Sequence, residues 1–182
     1  MSLQDDKKDL RNTIRQRIQL LSEAERRKQS ELLCAKLTAH PRFAAAKTVL
    51  LYASLPDEPD TTSLLRNYGQ EKTILLPVVR GKDIILRKFS DFTHTEKGSF
   101  GISEPTGTDF TEIGAIDLVV VPGRAFTKQG YRMGRGGGYY DRLLSCSELK
   151  AYKIGYCFSQ QIVPTLPTEP HDVCMDEVMY AE

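Results

Sequence analysis

The chain has 182 residues, which is enough for one sizeable hydrophobic core and rather short for two, so we expect a single domain over residues 1–182. Its 25 lysines and arginines against 24 acids give a formal net charge of +1, which argues against a general nucleic-acid binder. No apolar stretch approaches the roughly 20 residues of a membrane span, and the start, MSLQDDKKDL, is too polar for a signal peptide, so we expect a soluble cytoplasmic protein with no membrane partner.

The first predicted element is an amphipathic helix over residues 5–21. Its apolar residues recur at helical spacing and form one stripe, which comprises Leu10, Ile14, Ile18 and Leu21. Along the border of this stripe a cation recurs at every fourth position, at Lys7, Arg11 and Arg15. A solvated charged face is the usual explanation of such a row. Three aligned cations without an interleaved acid nevertheless favour an anion site.

The next stretch alternates between helices and strands. Ser22 and Glu25 form a capping box that predicts a second helix, which runs to about His40 because Pro41 discourages its continuation. The run TVLLYA predicts a buried strand, and the acidic SLPDEPDTTSLL predicts a loop followed by a helix that ends near Gly69. Two further strands, TILLPVV and DIILRKF, are separated by the turn-like RGKD.

The second half of the chain completes an α/β pattern. Residues 90–110 are polar and contain scattered phenylalanines, which predicts a long loop that could cover a pocket. IDLVVVPG and YKIGYCF predict strands, and EVMYA predicts a strand at a sheet edge. Strands that alternate with helices predict one α/β domain with three α/β/α layers around a mostly parallel sheet. In such folds, ligands collect outside the carboxyl ends of the strands.

The most unusual stretch is GYRMGRGGGYYDRLL, at residues 130–144. Its glycines, predicted to lie between a strand and a helix N-terminus, let backbone amides approach an anion closely. Neither common phosphate motif fits, because Tyr139 stands where a Walker loop needs lysine and where a dinucleotide fingerprint needs glycine. A mobile surface loop is the alternative explanation.

Four segments in order resemble the 5-formyltetrahydrofolate cyclo-ligase family: KKDLR, YASLPDEPDT, DLVVVPGRAFTKQGYRMGRGGGYYDRLL and PHDVCMDEV. The resemblance implies a single α/β domain that uses ATP and Mg²⁺ to close 5-formyltetrahydrofolate to 5,10-methenyltetrahydrofolate, with release of ADP and phosphate. Two positions depart from the usual family pattern, since Thr127 stands where an acid is frequent and Gly137 where some members carry lysine.

The resemblance also implies the residues of the site. Those expected to bind ATP are Lys7, Lys8, Asp9, Leu10, Arg11, Arg132, Met133, Gly134, Arg135, Gly136, Gly137, Gly138, Tyr139 and Tyr140. Those expected to bind the folate are Ala53, Glu58, Arg135, Gly136, Gly137, Gly138 and Tyr139, and those expected to bind magnesium are Asp141 and Asp172.

The implied chemistry suits these residue types. A formyl oxygen leaves poorly, so its phosphorylation by ATP prepares the carbon for attack by the N10 amine and allows phosphate to depart. Arg135 is the expected rate-critical cation, because phosphoryl transfer depends on positioning and charge stabilisation. Tyr139, the other expected catalytic residue, offers a ring to the pterin and a hydroxyl near the formyl group. Glu58 can accept hydrogen bonds from the donor-rich pterin edge.

Ordinary structural roles are the alternatives to these assignments. Asp141 could instead stabilise the start of a helix electrostatically, and Asp172 could form an Asx turn. Tyr140 could be a core residue, and Glu58 could be one more solvated acid of an acidic loop. The assignment of Ala53 rests on the resemblance alone. Two rival functions are a phosphate-binding α/β protein of the sugar-phosphate isomerase or acyl-CoA type, without ATP turnover, and a non-catalytic folate-binding module. We expect a monomer whose substrate could carry a polyglutamate tail.

Overall fold

In the computed structural model, which describes residues 2–182, the chain begins with two capped helices. Helix α1 spans Leu3–Gln19 and helix α2 spans Glu23–Thr38. Ser2 and Asp5 form a capping box at α1, and Ser22 and Glu25 form the predicted one at α2. Helix α1 starts earlier than the apolar pattern indicated because the Ser2 cap satisfies its first backbone N–H groups.

The second helix ends just before Pro41, as predicted. Helix α2 ends at Thr38, and a separate short helix, α3, spans Pro41–Ala45 with Pro41 in its first turn. Proline lacks the N–H that a continuous helix would need, but it is well tolerated where a new helix starts. The predicted end at about His40 is thus confirmed to within two residues.

A seven-stranded sheet forms the middle layer. The strands are β1 (Thr48–Leu50), β2 (Thr73–Arg80), β3 (Asp83–Phe89), β6 (Asp109–Phe110), β7 (Leu118–Val121), β10 (Tyr152–Cys157) and β11 (Glu177–Tyr180). Their order is β11-β10-β7-β1-β2-β3-β6, with parallel pairing from β11 to β2 and antiparallel pairing at β3 and β6. This confirms the mostly parallel α/β fold, and β11 lies at the edge as predicted.

Two short hairpins and two short helices connect these strands. Strands β4 (Thr95–Lys97) and β5 (Ser103–Pro105) pair in one hairpin, and β8 (Ala125–Phe126) and β9 (Arg132–Met133) pair in the other. Helix α4 spans Thr62–Tyr68 and is followed by Gly69, as expected, and helix α5 spans Tyr139–Leu144. The interpretation of residues 90–110 as loop alone was wrong, because that segment supplies the β4–β5 hairpin and strand β6.

Apolar side chains cover both faces of the sheet. On one face, Val49 and Leu51 pack with residues of α2 and α3, such as Leu37 and Phe43. On the other face, Leu50 packs with residues from α5 onward, such as Leu144. The alternation of successive β1 side chains between the two clusters is the period of a strand that is buried on both sides.

A third apolar cluster fixes helix α1 at one end of the sheet. Ile14 and Ile18, both fully buried, pack there with Ala125 and Met133 of the β8–β9 hairpin and with Phe158. The strand that immediately precedes the glycines 134–138 is β9 of this hairpin, and helix α5 follows them, so they lie between a strand and a helix as predicted. Helix α1 is consequently held beside the start of the glycine stretch. Within the described residues, none of the helices combines the length and the hydropathy needed to cross a bilayer.

Candidate functional site

A cavity of about 440 Å³ lies where several strand ends meet. Its walls include residues that follow β1, residues that follow β7, and the glycine stretch, in addition to part of the β2–β3 hairpin. Strands β1 and β7 are parallel neighbours in the sheet, so their carboxyl ends open on the same side. The cavity thus has the position expected for a ligand site in an α/β fold.

Most of the residues predicted to bind the folate or the nucleotide line this cavity. They are Ala53, Glu58, Arg132, Gly134, Arg135, Gly137, Gly138, Tyr139 and Tyr140, and the wall also includes Asp141, which was predicted to bind magnesium. Gly136 belongs to the same loop, but it is not among the described residues that line the cavity. The β4–β5 hairpin adds Phe100, Ile102 and Glu104, so the segment that was predicted to cover a pocket contributes one wall of it.

The backbone of the glycine loop, residues 134–138, requires glycine at two points. Gly136 has φ = 113° and Gly138 has φ = 72°, and residues other than glycine rarely adopt such backbone angles. These angles bend the chain sharply just before α5. The loop therefore exposes backbone to the cavity, as the sequence predicted, although α5 is only six residues long.

Arg135 forms ion pairs with two acids of the loop that follows β1. Its Nη2 lies 2.5 Å from an oxygen of Asp57 and 3.1 Å from an oxygen of Glu58, and its Nε lies 3.2 Å from the same Glu58 oxygen. The other Glu58 oxygen accepts a hydrogen bond of 2.8 Å from the backbone N–H of Leu55. The rate-critical cation and the pterin-binding acid of the sequence prediction are therefore in direct contact.

The two acids respond oppositely to this environment. Burial raises the pKa of Glu58 above its ordinary value and outweighs the opposing charge of Arg135. Burial also acts to raise the pKa of Asp57, but hydrogen bonds and charges from Arg135 and Arg124 outweigh it, so that this pKa is lowered. Asp57 is thus the more firmly ionised of the two carboxylates.

Arg132 lies deeper than Arg135, with only 6% of its side chain exposed. Its Nε donates to the carbonyl oxygen of Pro122 at 2.8 Å, and its Nη1 donates to Asp141 at 3.1 Å. Burial lowers the pKa of Arg132, against the opposing charges of Asp141 and, at lesser strength, Asp172. Arg132 therefore connects the cavity wall to Asp141 and also feels the charge of Asp172, and these are the two acids that were predicted to bind magnesium.

The predicted nucleotide residues of α1 divide into contacting and exposed ones. Lys7 is buried and forms an ion pair of 2.5 Å with Glu169, and Arg11 donates from Nε to the carbonyl oxygen of Gly134 at 2.9 Å. Leu10 packs on the third apolar cluster, whereas Lys8 and Asp9 are exposed, and so is Arg15. As the structure describes them, none of the α1 residues lines the cavity itself.

Asp172 and Asp141 lie in different local settings. Asp172 groups with Glu169 and His171, and one potential ligand atom from each of the three lies within 4.8 Å of the others. One Asp172 oxygen also accepts a hydrogen bond of 2.7 Å from the backbone N–H of Glu169, three residues earlier, which differs from the Asx turn that competed with the metal assignment, because that turn bonds the N–H two residues later. Asp141 instead pairs with Arg132. Carboxylate oxygens of this kind suit magnesium, but the two acids do not form one cluster.

The two tyrosines of the loop differ in their surroundings. The hydroxyl of Tyr139 donates to the carbonyl oxygen of Gly81 at 3.3 Å, and its ring borders the cavity. The Tyr140 ring packs partly on the core and lies under the guanidinium of Arg132 at 5.4 Å. The buried Tyr140 hydroxyl has no hydrogen-bond partner among residues 2–182. An unpaired buried hydroxyl beside a cavity is a site at which a polar ligand atom would be stabilised.

Four charged residues near the site were not singled out from the sequence. Asp57 and Arg124 contact each other and belong to the Arg135 network, and Glu169 pairs with Lys7. Glu104 is 4% exposed, accepts from the backbone N–H of Val79 at 3.1 Å and lies on the cavity wall. Because they lie in separate segments of the chain, no sequence spacing indicates that they are close together.

A larger and more open groove of about 950 Å³ lies between α2, the loop that follows β1, and α4. It shares Leu55 and Glu58 with the cavity, but no described residue of the glycine loop lines it. The predicted site residues thus converge on the smaller cavity and not on this groove.

Comparison with known proteins gives a consistent family. The model of the 5-formyltetrahydrofolate cyclo-ligase family matches residues 3–181. The chain is similar to the 5-formyltetrahydrofolate cyclo-ligase of Mus musculus, with 33% identity over 97% of this chain and 94% of that protein. It is also similar to the Escherichia coli K12 protein of the same name, with 27% identity over 91% of this chain and 95% of that one.

Solved structures extend this similarity to the fold. The NMR structure of Aquifex aeolicus 5,10-methenyltetrahydrofolate synthetase superimposes with a TM-score of 0.85 at 36% identity, covering 96% of this chain and 89% of that one. A 5,10-methenyltetrahydrofolate synthetase from Mycoplasma pneumoniae superimposes with a TM-score of 0.76 at 27% identity, covering 95% and 97%. The relatives match this chain over nearly its whole length.

Proposed function

This chain belongs to the 5-formyltetrahydrofolate cyclo-ligase family, and from that premise we propose that it closes 5-formyltetrahydrofolate to 5,10-methenyltetrahydrofolate, using ATP and releasing ADP and phosphate. The observation that carries the proposal is the 440 Å³ cavity, in which Ala53, Glu58 and the loop from Arg135 to Tyr139 meet. Its volume lies within the range of roughly 300–1,000 Å³ that is usual for small-molecule sites.

The proposed reaction proceeds in two steps. The formyl oxygen of the folate attacks the terminal phosphorus of ATP, so that an oxygen–phosphorus bond forms and ADP departs. The N10 amine then attacks the activated formyl carbon, the carbon–oxygen bond breaks, and phosphate leaves while N10 loses its proton. Because such transfers need little covalent help, the contribution of the protein is orientation, charge stabilisation and exclusion of water.

Arg135 is proposed to stabilise the charge on the transferring phosphoryl group. It reaches the cavity from the glycine loop, and a guanidinium presents several N–H donors in a fixed fork that suits phosphate oxygens. The Nε and Nη2 atoms of Arg135 donate to Asp57 and Glu58, which orient the guanidinium.

Glu58 is proposed to bind the pterin edge. Only 8% of its side chain is exposed, and its carboxylate, which accepts from Arg135 and from a backbone N–H, forms part of the cavity wall. The amino and ring N–H groups of a pterin are donors of the same kind. Tyr139, on another part of the wall, offers its ring to the apolar faces of the folate.

The phosphates of ATP are proposed to lie along the glycine loop towards α1. Gly134 is bonded to Arg11, and Lys7 lies four residues earlier on the same helix, where it pairs with Glu169. Magnesium, when bound, would neutralise phosphate charge, and Asp172 and Asp141 are the residues proposed to hold it through carboxylate oxygens. The orphaned Tyr140 hydroxyl supplies a further polar contact for a ligand.

The test of the proposed function is a direct assay. The purified protein is mixed with 5-formyltetrahydrofolate, ATP and magnesium, and the near-ultraviolet absorbance of the methenyl product is followed while ADP release is measured in parallel. We expect product and ADP to appear in equal amounts. Flat absorbance from folded protein would contradict the proposal, and folate binding without product would instead indicate the non-catalytic module.

A further inference from the structure

A chain of alternating charges runs along one wall of the cavity, and the resemblance assigned only two of its four members, Arg135 and Glu58. The order of contact is Arg124, Asp57, Arg135 and Glu58, and consecutive members are joined by hydrogen bonds. Arg124 comes from the segment after β7, Asp57 and Glu58 from the loop after β1, and Arg135 from the glycine loop. Three segments that are remote in sequence are therefore connected at the cavity through one carboxylate, that of Asp57.

The carboxylate of Asp57 accepts hydrogen bonds from both arginines. One oxygen accepts from Arg124 Nη1 at 2.9 Å, and the other accepts from Arg135 Nη2 at 2.5 Å. Charge-assisted hydrogen bonds of this kind are roughly twice as strong as neutral ones. The position of the Arg135 guanidinium is thus set relative to Arg124.

Arg124 is a rigid anchor for this arrangement. It is 8% exposed, and its backbone N–H donates to the carbonyl oxygen of Met133 at 2.7 Å. Its own carbonyl oxygen accepts from the buried amide of Gln161 at 3.2 Å. Arg135, by contrast, has 36% of its side chain exposed and sits on a loop with left-handed glycines. The network therefore links the more exposed arginine to the more buried one.

We propose that Asp57 is a positioning residue that holds the Arg135 guanidinium over the cavity, with Arg124 as its anchor. The inference rests on the proposed function, because it assigns Asp57 a part in that same reaction. Glu58 cannot be the residue that holds Arg135 while the folate is bound, because the proposed pterin contacts compete for the carboxylate that faces Arg135. The contact to Asp57 is the one that persists when the folate is bound.

The kinetic test is a double-mutant cycle between Asp57→Asn and Arg135→Ala. Asp57→Asn keeps the shape of the side chain but removes its charge, and we expect kcat to fall roughly 10- to 100-fold with the KM for 5-formyltetrahydrofolate changed less than about twofold. In the Arg135→Ala background the same substitution should cause no further loss. An unchanged kcat, or losses that multiply in the double variant, would overturn the proposal.

A second variant separates positioning from folding. Asp57→Asn leaves the buried Arg124 unpaired and could lower the melting temperature, whereas Asp57→Asn combined with Arg124→Gln removes both charges. We expect the combined variant to recover thermal stability but not kcat. Recovery of kcat together with stability would show that Asp57 is merely structural. Glu23→Gln, which breaks the exposed Arg27–Glu23 pair outside the cavity, is the matched control and should leave kcat unchanged.

A readout without turnover keeps this inference separate from the proposed function. The side-chain Nε–H signal of Arg135 in a proton–nitrogen NMR spectrum should be sharp and protected from exchange in the wild-type protein and should broaden in Asp57→Asn. An Arg135 signal that is identical in both proteins would overturn the positioning role, whatever the activity assay gives. A wild-type protein without cyclisation, but with the NMR change, would overturn the proposed function alone.

Discussion

Arg11 of helix α1 donates a hydrogen bond of 2.9 Å to the carbonyl oxygen of Gly134, which is 123 residues away in the sequence. The contact joins the row of cations at the start of the chain to the glycine loop. It gives one face of α1 a role beyond solvation, because Arg11 and Lys7 turn inward while Arg15, on the same row, is exposed. Two features that the sequence presented separately are one structural unit.

This unit predicts that Arg11 and Arg15 differ in function. Arg11→Ala should raise the KM for ATP about tenfold, since it removes a charge from the proposed phosphate region and loosens Gly134, and the KM for the folate should change little. Arg15→Ala, one helical turn further along the same row, is the control and should leave both constants unchanged. Equal effects of the two substitutions on the KM for ATP would indicate a diffuse electrostatic field and not a specific contact.

The two arginines of the glycine stretch should respond differently to truncation. Arg135→Ala should lower kcat by roughly 100-fold or more while the melting temperature changes little, because this side chain is partly exposed and is proposed to act on developing charge. Arg132→Ala should lower both, since the side chain is 6% exposed and bonds Pro122 and Asp141. The measurements are steady-state kinetics and thermal unfolding of the same preparations. A loss of stability in Arg135→Ala as large as in Arg132→Ala would make Arg135 a structural residue.

Local patterns were sufficient for most of the fold. The Ser22–Glu25 cap, the β-branched runs of the central strands and the stop at Gly69 each depend on near neighbours in sequence, and the structure confirms them. The β4–β5 hairpin was missed because its strands have three residues each and little apolar alternation. Their pairing depends on contacts to the existing sheet, such as the bond from the Val79 N–H to Glu104.

The site was predictable only where a motif is contiguous. The loop from Arg132 to Tyr140 carries its own signature, so its place on a cavity could be expected from the sequence. Asp57 and Arg124 gave no such signal, because their partnership arises from the adjacency of strands β1 and β7 in the sheet. Asp57 stands next to Glu58, and Glu58 and Ala53 were the residues whose resemblance to the family indicated that the loop after β1 serves the site.

The adjacent acids Asp57 and Glu58 predict opposite pH dependences of stability. The pKa of Asp57 is lowered in the folded chain, so its contribution is present above the ordinary aspartate range and is lost as the pH falls through the folded value. The pKa of Glu58 is raised, so its contribution is present below the ordinary glutamate range and is lost as the pH rises through the folded value.

Thermal unfolding from pH 3 to pH 8, a span of about five units around the ordinary carboxyl values, checks this pair of signs. Relative to wild type, Asp57→Asn should lose least stability at the acid end, and Glu58→Gln should lose least at the neutral end. Asp109→Asn, which breaks the ion pair with Arg87 away from the cavity, serves as the reference for a more exposed acid. Parallel curves for the two cavity variants would contradict the opposite pKa directions.

Substitutions of the two acids that were predicted to bind magnesium should have different effects, because Asp172 and Asp141 have different bonding partners. Asp172→Asn should raise the magnesium concentration for half-maximal activity by at least about tenfold, because it removes an oxygen ligand from the group with Glu169 and His171. Asp141→Asn should raise it too, and should in addition lower the melting temperature, because Arg132 then loses the charge of its acid partner. Titrations of activity with magnesium at saturating ATP and folate measure the first effect, with Asp109→Asn as the control. If Asp141→Asn shifts only the melting temperature, Asp141 is a partner of Arg132 and the metal is held through Asp172 without it.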